Sequence, residues 1–345
     1  MSTTRRPLSR WKRFRHRVEW LLLELLAALV PLLSHKMLMR LANALGWLAF
    51  HLAAGERRIA LTNLDIAFGS SKSAEEKRRI ACSAFQTFAR SSLGLFWARR
   101  PHHTTLNRLV EFDPESVRLV KEAHARGKGI IFIALHYGDW ELIGLATALL
   151  DIPITIVTEQ TRNLHVKRVF ERLRGRTGNR IILQRFAVAK LFKALKRGEC
   201  IALLTDLNAL PSRGGIWLEF FGKPVFSYSV AAGLALHTGA AIFGGVAHPL
   251  PDGRLRLVYE PIPCTTTGDE ESDLRVVSQR CLSFCERIIR EKPDYWLWFY
   301  KRWRFRPTED AQGFPYYSRW IEEVRPRTQT TSATQSPSVP QQSGP

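Results

Sequence analysis

With 345 residues the chain is long enough for one large α/β domain or two smaller ones. Its 45% hydrophobic and 24% charged residues exclude an intrinsically disordered protein. The 51 Lys and Arg outweigh the 31 Asp and Glu by +20, a surplus that needs an anionic counterpart such as a phospholipid surface, a nucleic acid or an acidic protein.

The N-terminus carries Arg5, Arg6, Arg10, Lys12, Arg13, Arg15 and Arg17 without an acid among them, followed by the apolar run Trp20 to Leu33, which holds Glu24 and Pro31. The run is shorter than the roughly 20 residues of a spanning helix, and no clear small-residue cleavage site follows it. One crossing with the basic head kept inside would also put the remainder of the chain outside. The five cysteines, Cys82, Cys200, Cys264, Cys281 and Cys285, include no CxxC pair. Odd in number and widely spaced, they suit reduced thiols better than a disulfide framework or a zinc site. The segment therefore reads as an interfacial or re-entrant anchor, with its cations on anionic headgroups and its Leu and Trp side chains in the acyl boundary. Met37 to Ala54, whose one charged side chain is Arg40, reads as a second apolar helix. Residues 1–55 are thus expected to form a basic N-terminus with membrane-associated helices. Residues 74–98 show apolar spacing near 3.6 with Ser73 as N-cap, and Arg99 to His103 form a basic, Pro-containing break.

From here the pattern alternates. Strands are expected at Ile130 to Leu135, Ile152 to Val157, Ile181 to Leu183, Cys200 to Leu204, Ala240 to Ala247 and Leu255 to Tyr259. Helices are expected at Trp140 to Leu150, Leu164 to Arg174, Ala187 to Lys196, Val230 to Thr238 and Asp273 to Glu291, the last with Ser272 as N-cap. Short apolar runs alternating with helices imply a mixed, largely parallel central sheet covered by helices. This α/β domain is assigned to residues 56–322. The Pro-, Ser-, Thr- and Gln-rich residues 323–345 read as a disordered tail.

Three stretches carry chemistry. In HYGDWE, His136 to Glu141, the histidine directly follows a buried strand and Gly138 permits a sharp turn into the next helix; reactive side chains of open α/β sheets gather beyond the carboxyl ends of strands. A histidine there can serve as general base if a neighbouring group holds its tautomer. Glu141 is the expected partner and Asp139 the alternative carboxylate; the plain structural reading is a helix-capping histidine beside a surface aspartate. No second histidine sits at metal-ligand spacing, and no metal or other cofactor is expected. In Asp206 to Pro224, DLNALPSRGGIWLEFFGKP, Asp206 again follows a buried strand. Arg213 with Gly214 and Gly215 could cradle a phosphate or oxyanion, and Ile216 to Phe221 could line an acyl-chain groove. The plainer reading is a Gly-turned β-hairpin with an aromatic core patch. In Pro293 to Pro307, PDYWLWFYKRWRFRP, aromatics interleave with Lys301, Arg302, Arg304 and Arg306, which could stack bases, meet lipid phosphates or simply pack.

HYGDWE after an apolar strand resembles the His-x4-Asp/Glu box of lysophospholipid-type acyltransferases. More closely, the chain resembles the bacterial lipid A biosynthesis acyltransferases. RIALTNLDIAF (Arg58 to Phe68) is similar to that family's early Arg…Asn-Leu…Phe segment, and Arg162-Asn163 with Arg174 and Gly178 to its basic helix. Asp206 with GGIWLEFFGKP resembles its Asp…Gly…Phe-Phe-Gly block, and PDYWLWFYKRW its Trp-rich terminal block. The likeness spans roughly residues 15–307. The chain departs from the family at Asp139, where Asn is frequent, at Leu207-Asn208, where a Gln-Asp-like pair is usual, and at Tyr300, where His is common.

The resemblance implies a glycerol-3-phosphate acyltransferase-like fold and transfer of a fatty acyl group from an acyl carrier protein thioester to a hydroxyl of a lipid acceptor, a lipid A precursor first. In that reading His136 takes the hydroxyl proton and Glu141 holds the imidazole, as the third member of a hydrolase triad does. Arg162, Arg174, Asp206 and Arg213 are the substrate-binding candidates. The partners would be acyl carrier protein, the lipid acceptor and an anionic membrane surface, with no nucleic acid. The expected place is the inner membrane, catalytic domain on the cytoplasmic side. The competing readings are an acyltransferase for another glycolipid of the phosphoinositide mannoside type, a thioester hydrolase on the same fold, and a nucleic-acid-binding protein. The last would explain +20 but would need neither HYGDWE nor the apolar N-terminus.

Overall fold

The computed structural model describes residues 9–98, 102–158, 163–184, 187–250 and 254–321; the expected tail at 323–345 lies outside them. The basic head and the first apolar run form one helix, α1 (Arg10–Leu29), opened by Ser9, whose hydroxyl accepts from the Lys12 amide. After a 3₁₀ turn around Pro31 comes α2 (His35–Leu52), then α3 (Ala54–Phe68) and α4 (Ala74–Trp97). Ser73 caps α4 as the spacing predicts: its hydroxyl accepts from the Glu76 amide, and Glu76 accepts from the Ser73 amide in return. Gly46 lets α2 lie directly on α4, since a Cβ there would stand 2.4 Å from the Gln86 Cα.

The α/β part follows as α5 (His102–Leu109), β1 (Val110–Phe112), α6 (Pro114–Ala125), β2 (Ile130–Ala134), α7 (Trp140–Thr147), β3 (Ile154–Thr158), α8 (Leu164–Arg174), β4 (Arg180–Leu183), α9 (Ala187–Lys196) and β5 (Cys200–Leu204). A hairpin, β6 (Ile216–Phe220) and β7 (Lys223–Ser227), precedes α10 (Val230–Thr238), β8 (Ala241–Pro249), β9 (Leu255–Ile262) and α11 (Glu270–Glu291). The chain closes with the two-residue strands β10 (Phe305–Arg306) and β11 (Arg319–Trp320). The central sheet has the order β1-β9-β8-β2-β5-β3-β4 and is parallel except for the β8–β9 pair. The mixed, largely parallel sheet read from the sequence is therefore present.

The alternation missed several elements. α6 begins on Asp113 and Pro114, a good N-cap followed by Pro at the first helical position, but its apolar face is narrow. β1 has only three residues. The aromatic stretch after Gly215 is the hairpin that its plainer reading describes. Its turn residues Phe221 and Gly222 take φ of 52° and 69°, the sign that a two-residue hairpin turn requires. The long helix α11 starts earlier than expected, with Asp269 as its N-cap in place of Ser272.

Two apolar layers sandwich the sheet. On one side α9, α10, α11 and the hairpin pack with Ile131, Ile133, Ile201 and Ile242; on the other α4, α6, α7 and α8 pack with Ile130, Phe132, Ile154 and Phe243. Helix α1 docks on the second side: Asn163 donates to the His16 carbonyl and to Glu19, both at 2.9 Å, and Arg172 pairs with Glu24 at 2.8 Å; α3 packs into the first layer through Ala60 and Leu64. The acid that interrupts the apolar run thus has a cation to meet. Much of the remaining apolar surface of α1 and α2 faces outward, including Leu22 at 56% and Leu52 at 73% exposed. No single helix among the described residues is long and apolar enough to cross a membrane; α2 and the segment to Ser71 together have the length but are bent by 92°.

Candidate active site

Strands β2 and β5 are neighbours, with Ala134 opposite Leu204. His136 and Asp206 are each two residues past that last pair, so the two side chains emerge side by side at the carboxyl edge of the sheet. Gly138, at φ 55°, turns the chain from β2 into α7, a conformation that glycine adopts without strain. The His136 Nδ1 lies 3.0 Å from Asp206 Oδ1, while Asp206 Oδ2 accepts from the His136 amide at 2.9 Å and from the Trp296 indole at 2.9 Å. Asp206 is fully buried, whereas 16% of the His136 side chain remains exposed. One carboxylate thus fixes the ring, its backbone and the direction in which its other nitrogen can point.

The electrostatics reinforce the pair. Burial pushes the imidazole pKa down, but the charge and hydrogen bond of Asp206, helped by Glu141, outweigh burial and leave it above the ordinary value. Burial likewise pushes the Asp206 carboxyl up, and the charge of His136 with the three hydrogen bonds brings it below the ordinary carboxylate range. The His136 ring also stands edge-on to Trp140, 5.4 Å between centroids.

Glu141 stands elsewhere than expected. It takes two hydrogen bonds from the Arg174 guanidinium, one of them at 2.8 Å from Nε. Its charge reaches His136, but the hydrogen bond to the imidazole expected of it is made by Asp206. The reason is geometric: Glu141 is in the first turn of α7 and faces α8, whereas Asp206 comes from the adjacent strand. Asp206, expected among the substrate-binding residues, is enclosed by its three donors. Asp139, the alternative carboxylate, is not bonded to the ring either. Its Oδ1 is buried without a hydrogen-bond partner, and burial, against the pull of Arg90, raises its pKa to about 6.

Arg174 is brought to the site, with a quarter of its side chain exposed. Arg162 lies outside the described residues, as does the Arg213 side chain. Next to Arg213, Gly215 serves close packing: a Cβ would stand 2.6 Å from the Ala209 Cβ and 2.9 Å from the Ser227 carbonyl oxygen. Within Ile216 to Phe221, Phe220 and Phe221 are buried against Trp296, Trp298 and Trp303, while Leu218 lines a small cavity with Ala231, Ala232 and Leu282. The open apolar surface is on the sheet itself. Leu204 is 39% exposed at the end of β5, with Ala134, Ala202 and Ile156 partly exposed around it.

The aromatics of the terminal block are packing, with Trp296, Trp298 and Trp303 buried together with Arg302, while Lys301 and Arg304 stay exposed. Asn63 of the early block ties the terminal block down by donating to the Trp298 and Tyr300 carbonyls, both at 2.7 Å. Sequence reasoning missed Trp296 and Asn208 as parts of the site. No local spacing pointed to either, because Trp296 reaches Asp206 from 90 positions away and Asn208 meets Arg302 from 94. Among the described residues no three or more His, Cys, Asp or Glu side chains converge as a metal site.

The family described as bacterial lipid A biosynthesis acyltransferase matches residues 9–305. The chain belongs to that family. It is similar to the lipid A biosynthesis palmitoleoyltransferase of Escherichia coli K12, with 23% identity over 286 residues, 81% of this chain and 89% of the relative. The lipid A biosynthesis acyltransferase of Shigella flexneri is similar to the same extent, 23% over 286 residues. The phosphatidylinositol mannoside acyltransferase of Mycobacterium tuberculosis CDC 1551 / Oshkosh is 22% identical over 222 residues, 63% of this chain and 68% of that relative. The protein is therefore an acyltransferase of the lipid A and glycolipid group.

Proposed function

We propose that this acyltransferase moves a fatty acyl group from an acyl carrier protein thioester to a hydroxyl of a lipid A precursor at the cytoplasmic face of the inner membrane. The observation that carries the catalytic part is the imidazole of His136, mostly buried but open at one edge to 16% exposure and fixed through Nδ1 by a fully buried carboxylate. Its Nε2 is then the atom that can accept a proton. His136 removes the acceptor hydroxyl's proton as that oxygen attacks the thioester carbonyl; the carbon–sulfur bond breaks, and the imidazolium returns its proton to the leaving thiolate. Asp206 stabilises the imidazolium between these steps. No acyl-enzyme forms, because the substrate hydroxyl is the nucleophile.

Two of the five N–H donors of Arg174 go to Glu141, leaving three for an oxyanion or an acceptor phosphate. In this reading Glu141 orients Arg174 and adds negative charge near the base. The partly exposed apolar floor at Leu204 suits an acyl chain. The net charge of +20 suits an acidic carrier protein and an anionic lipid surface, and the outward apolar face of α1 and α2 suits insertion into the interface.

The second reading, a phosphoinositide-mannoside-type acceptor, is favoured by the likeness to the mycobacterial enzyme. A thioester hydrolase would use the same pair on water. Incubating the full-length protein with acyl carrier protein and coenzyme A thioesters, each with lipid A precursor or phosphoinositide mannoside, and weighing the lipids by mass spectrometry separates all three. An acylated lipid A precursor made from the carrier thioester is expected; free fatty acid alone would overturn the transferase reading.

A further inference from the structure

Arg302, in the terminal Trp-rich block, is fully buried, and no carboxylate among the described residues lies within ion-pair reach of its guanidinium. Nη1 donates to Asn208 Oδ1 and Nη2 to Ser227 Oγ, both at 2.7 Å, and Nε has no hydrogen-bond partner. The ring of Phe220 lies 5.2 Å from the guanidinium carbon. Burying a cation among neutral groups costs stability that an apolar residue of similar volume would not cost. Packing alone therefore gives no reason for an arginine here.

The position of its partner supplies one. Asn208 is two residues past Asp206 in the same loop, and its side-chain amide also donates to the Lys301 carbonyl at 2.8 Å. Asp206 and Arg302 are thus two fully buried opposite charges tied to one short loop. Asp206 is the carboxylate whose charge acts on Arg302. Burial lowers the guanidinium pKa to about 10, which still leaves it cationic at neutral pH.

We propose that Arg302 is a positioning residue whose buried charge keeps Asp206 ionised and His136 in its neutral, base-competent form, while its forked hydrogen bonds hold the Asp206–Asn208 loop in place. This rests on the His136–Asp206 reading of the site. The sign follows from charge alone. Any proton added to the pair brings positive charge toward the guanidinium, so removing the guanidinium makes protonation easier and moves the titration of His136 to higher pH.

The test is an NMR titration of histidine-labelled full-length protein in detergent micelles, with the His136 signal assigned by its absence in His136→Gln. It needs no substrate, so it stands apart from acyl transfer. Arg302→Gln is expected to raise the His136 midpoint by about half to one pH unit, and Arg302→Lys to restore it. Asn208→Asp keeps the guanidinium and its hydrogen bond but cancels its charge on the spot, and is expected to raise the midpoint as well. It carries the test if Arg302→Gln does not fold by circular dichroism. A midpoint unmoved in the folded variants would overturn the role of Arg302 and leave the His136–Asp206 pair standing. Arg302→Lys shifting as far as Arg302→Gln would assign Arg302 to shape, not charge. A wild-type His136 titrating like a free imidazole would remove both proposals.

Discussion

His136 and Asp206 are 70 positions apart, and Nδ1 of one lies 3.0 Å from Oδ1 of the other because their strands are parallel neighbours that end in register. A base and the carboxylate that orients it thus come from equivalent points on two elements of the rigid sheet.

Substitutions at His136 and Glu141 should cost activity more than stability. His136→Ala is expected to abolish acyl transfer while the protein remains folded. Glu141→Gln keeps the shape but weakens the grip on Arg174, and is expected to raise KM for the acceptor more than it lowers kcat. Steady-state kinetics with circular dichroism on each purified variant checks both.

The pH dependence of wild type follows from the same pair. The His136 pKa lies above the ordinary 6.5 and the base must be neutral to act. Activity should therefore rise with pH through a midpoint above 6.5, with the Asp206 carboxylate ionised throughout that range. In stability terms the raised imidazole pKa contributes below the unfolded value and is lost as pH rises through the folded one. A kcat/KM profile whose acid limb lies below the free-histidine value would contradict this.

Asp139 makes an opposite kind of prediction. Its carboxyl is raised by burial to about 6 from 3.8, so the folded state holds a proton that the unfolded chain has released. Stability should fall as pH rises from about 4 to 6 and stay reduced above that. Asp139→Asn removes this penalty and is expected to stabilise the protein at pH 7 by about 1–3 kcal/mol. Denaturant unfolding at pH 4.5 and pH 7.5 should find the gain mainly at the higher pH.

The outward apolar face of α1 and α2 can be tested without disturbing the core. Leu22 and Leu25 are 56% and 53% exposed, so Leu22→Glu with Leu25→Glu should leave folding intact. Flotation with anionic phospholipid vesicles is expected to lose most of the bound protein, by roughly tenfold or more for the pair. Unchanged flotation would remove this face as the attachment surface.

Much of the frame was legible before any coordinates. IIFIAL and IALLT are continuous apolar runs of strand length, and a doubly covered parallel sheet demands such runs. Ser73 marked a helix start, and the structure adds the reciprocal hydrogen bond from the Ser73 amide to Glu76. The pairing inside the site was not legible, because the His-x4-acid pattern points to Glu141, five residues from His136, whereas the register that brings Asp206 beside it belongs to the sheet as a whole. Arg302 was misleading for a related reason. A cation among tryptophans looks like a surface belt until the loop that accepts its hydrogen bonds is known, and Asn208 is a distant residue in sequence. β1 and α6 escaped because three residues and a narrow apolar face leave little periodic signal.

The central claim, that His136 acts as a base held by Asp206 on a lipid hydroxyl, is tested most directly by single-turnover acyl transfer in Asp206→Asn. Carrier-protein thioester and lipid A precursor would be the substrates and intact-lipid mass spectrometry the readout. The amide keeps the volume but loses the charge that stabilises the imidazolium, and the rate is expected to fall by roughly 10²- to 10⁴-fold with no acyl group on the protein. A rate within a few-fold of wild type, in a variant that remains folded, would contradict it.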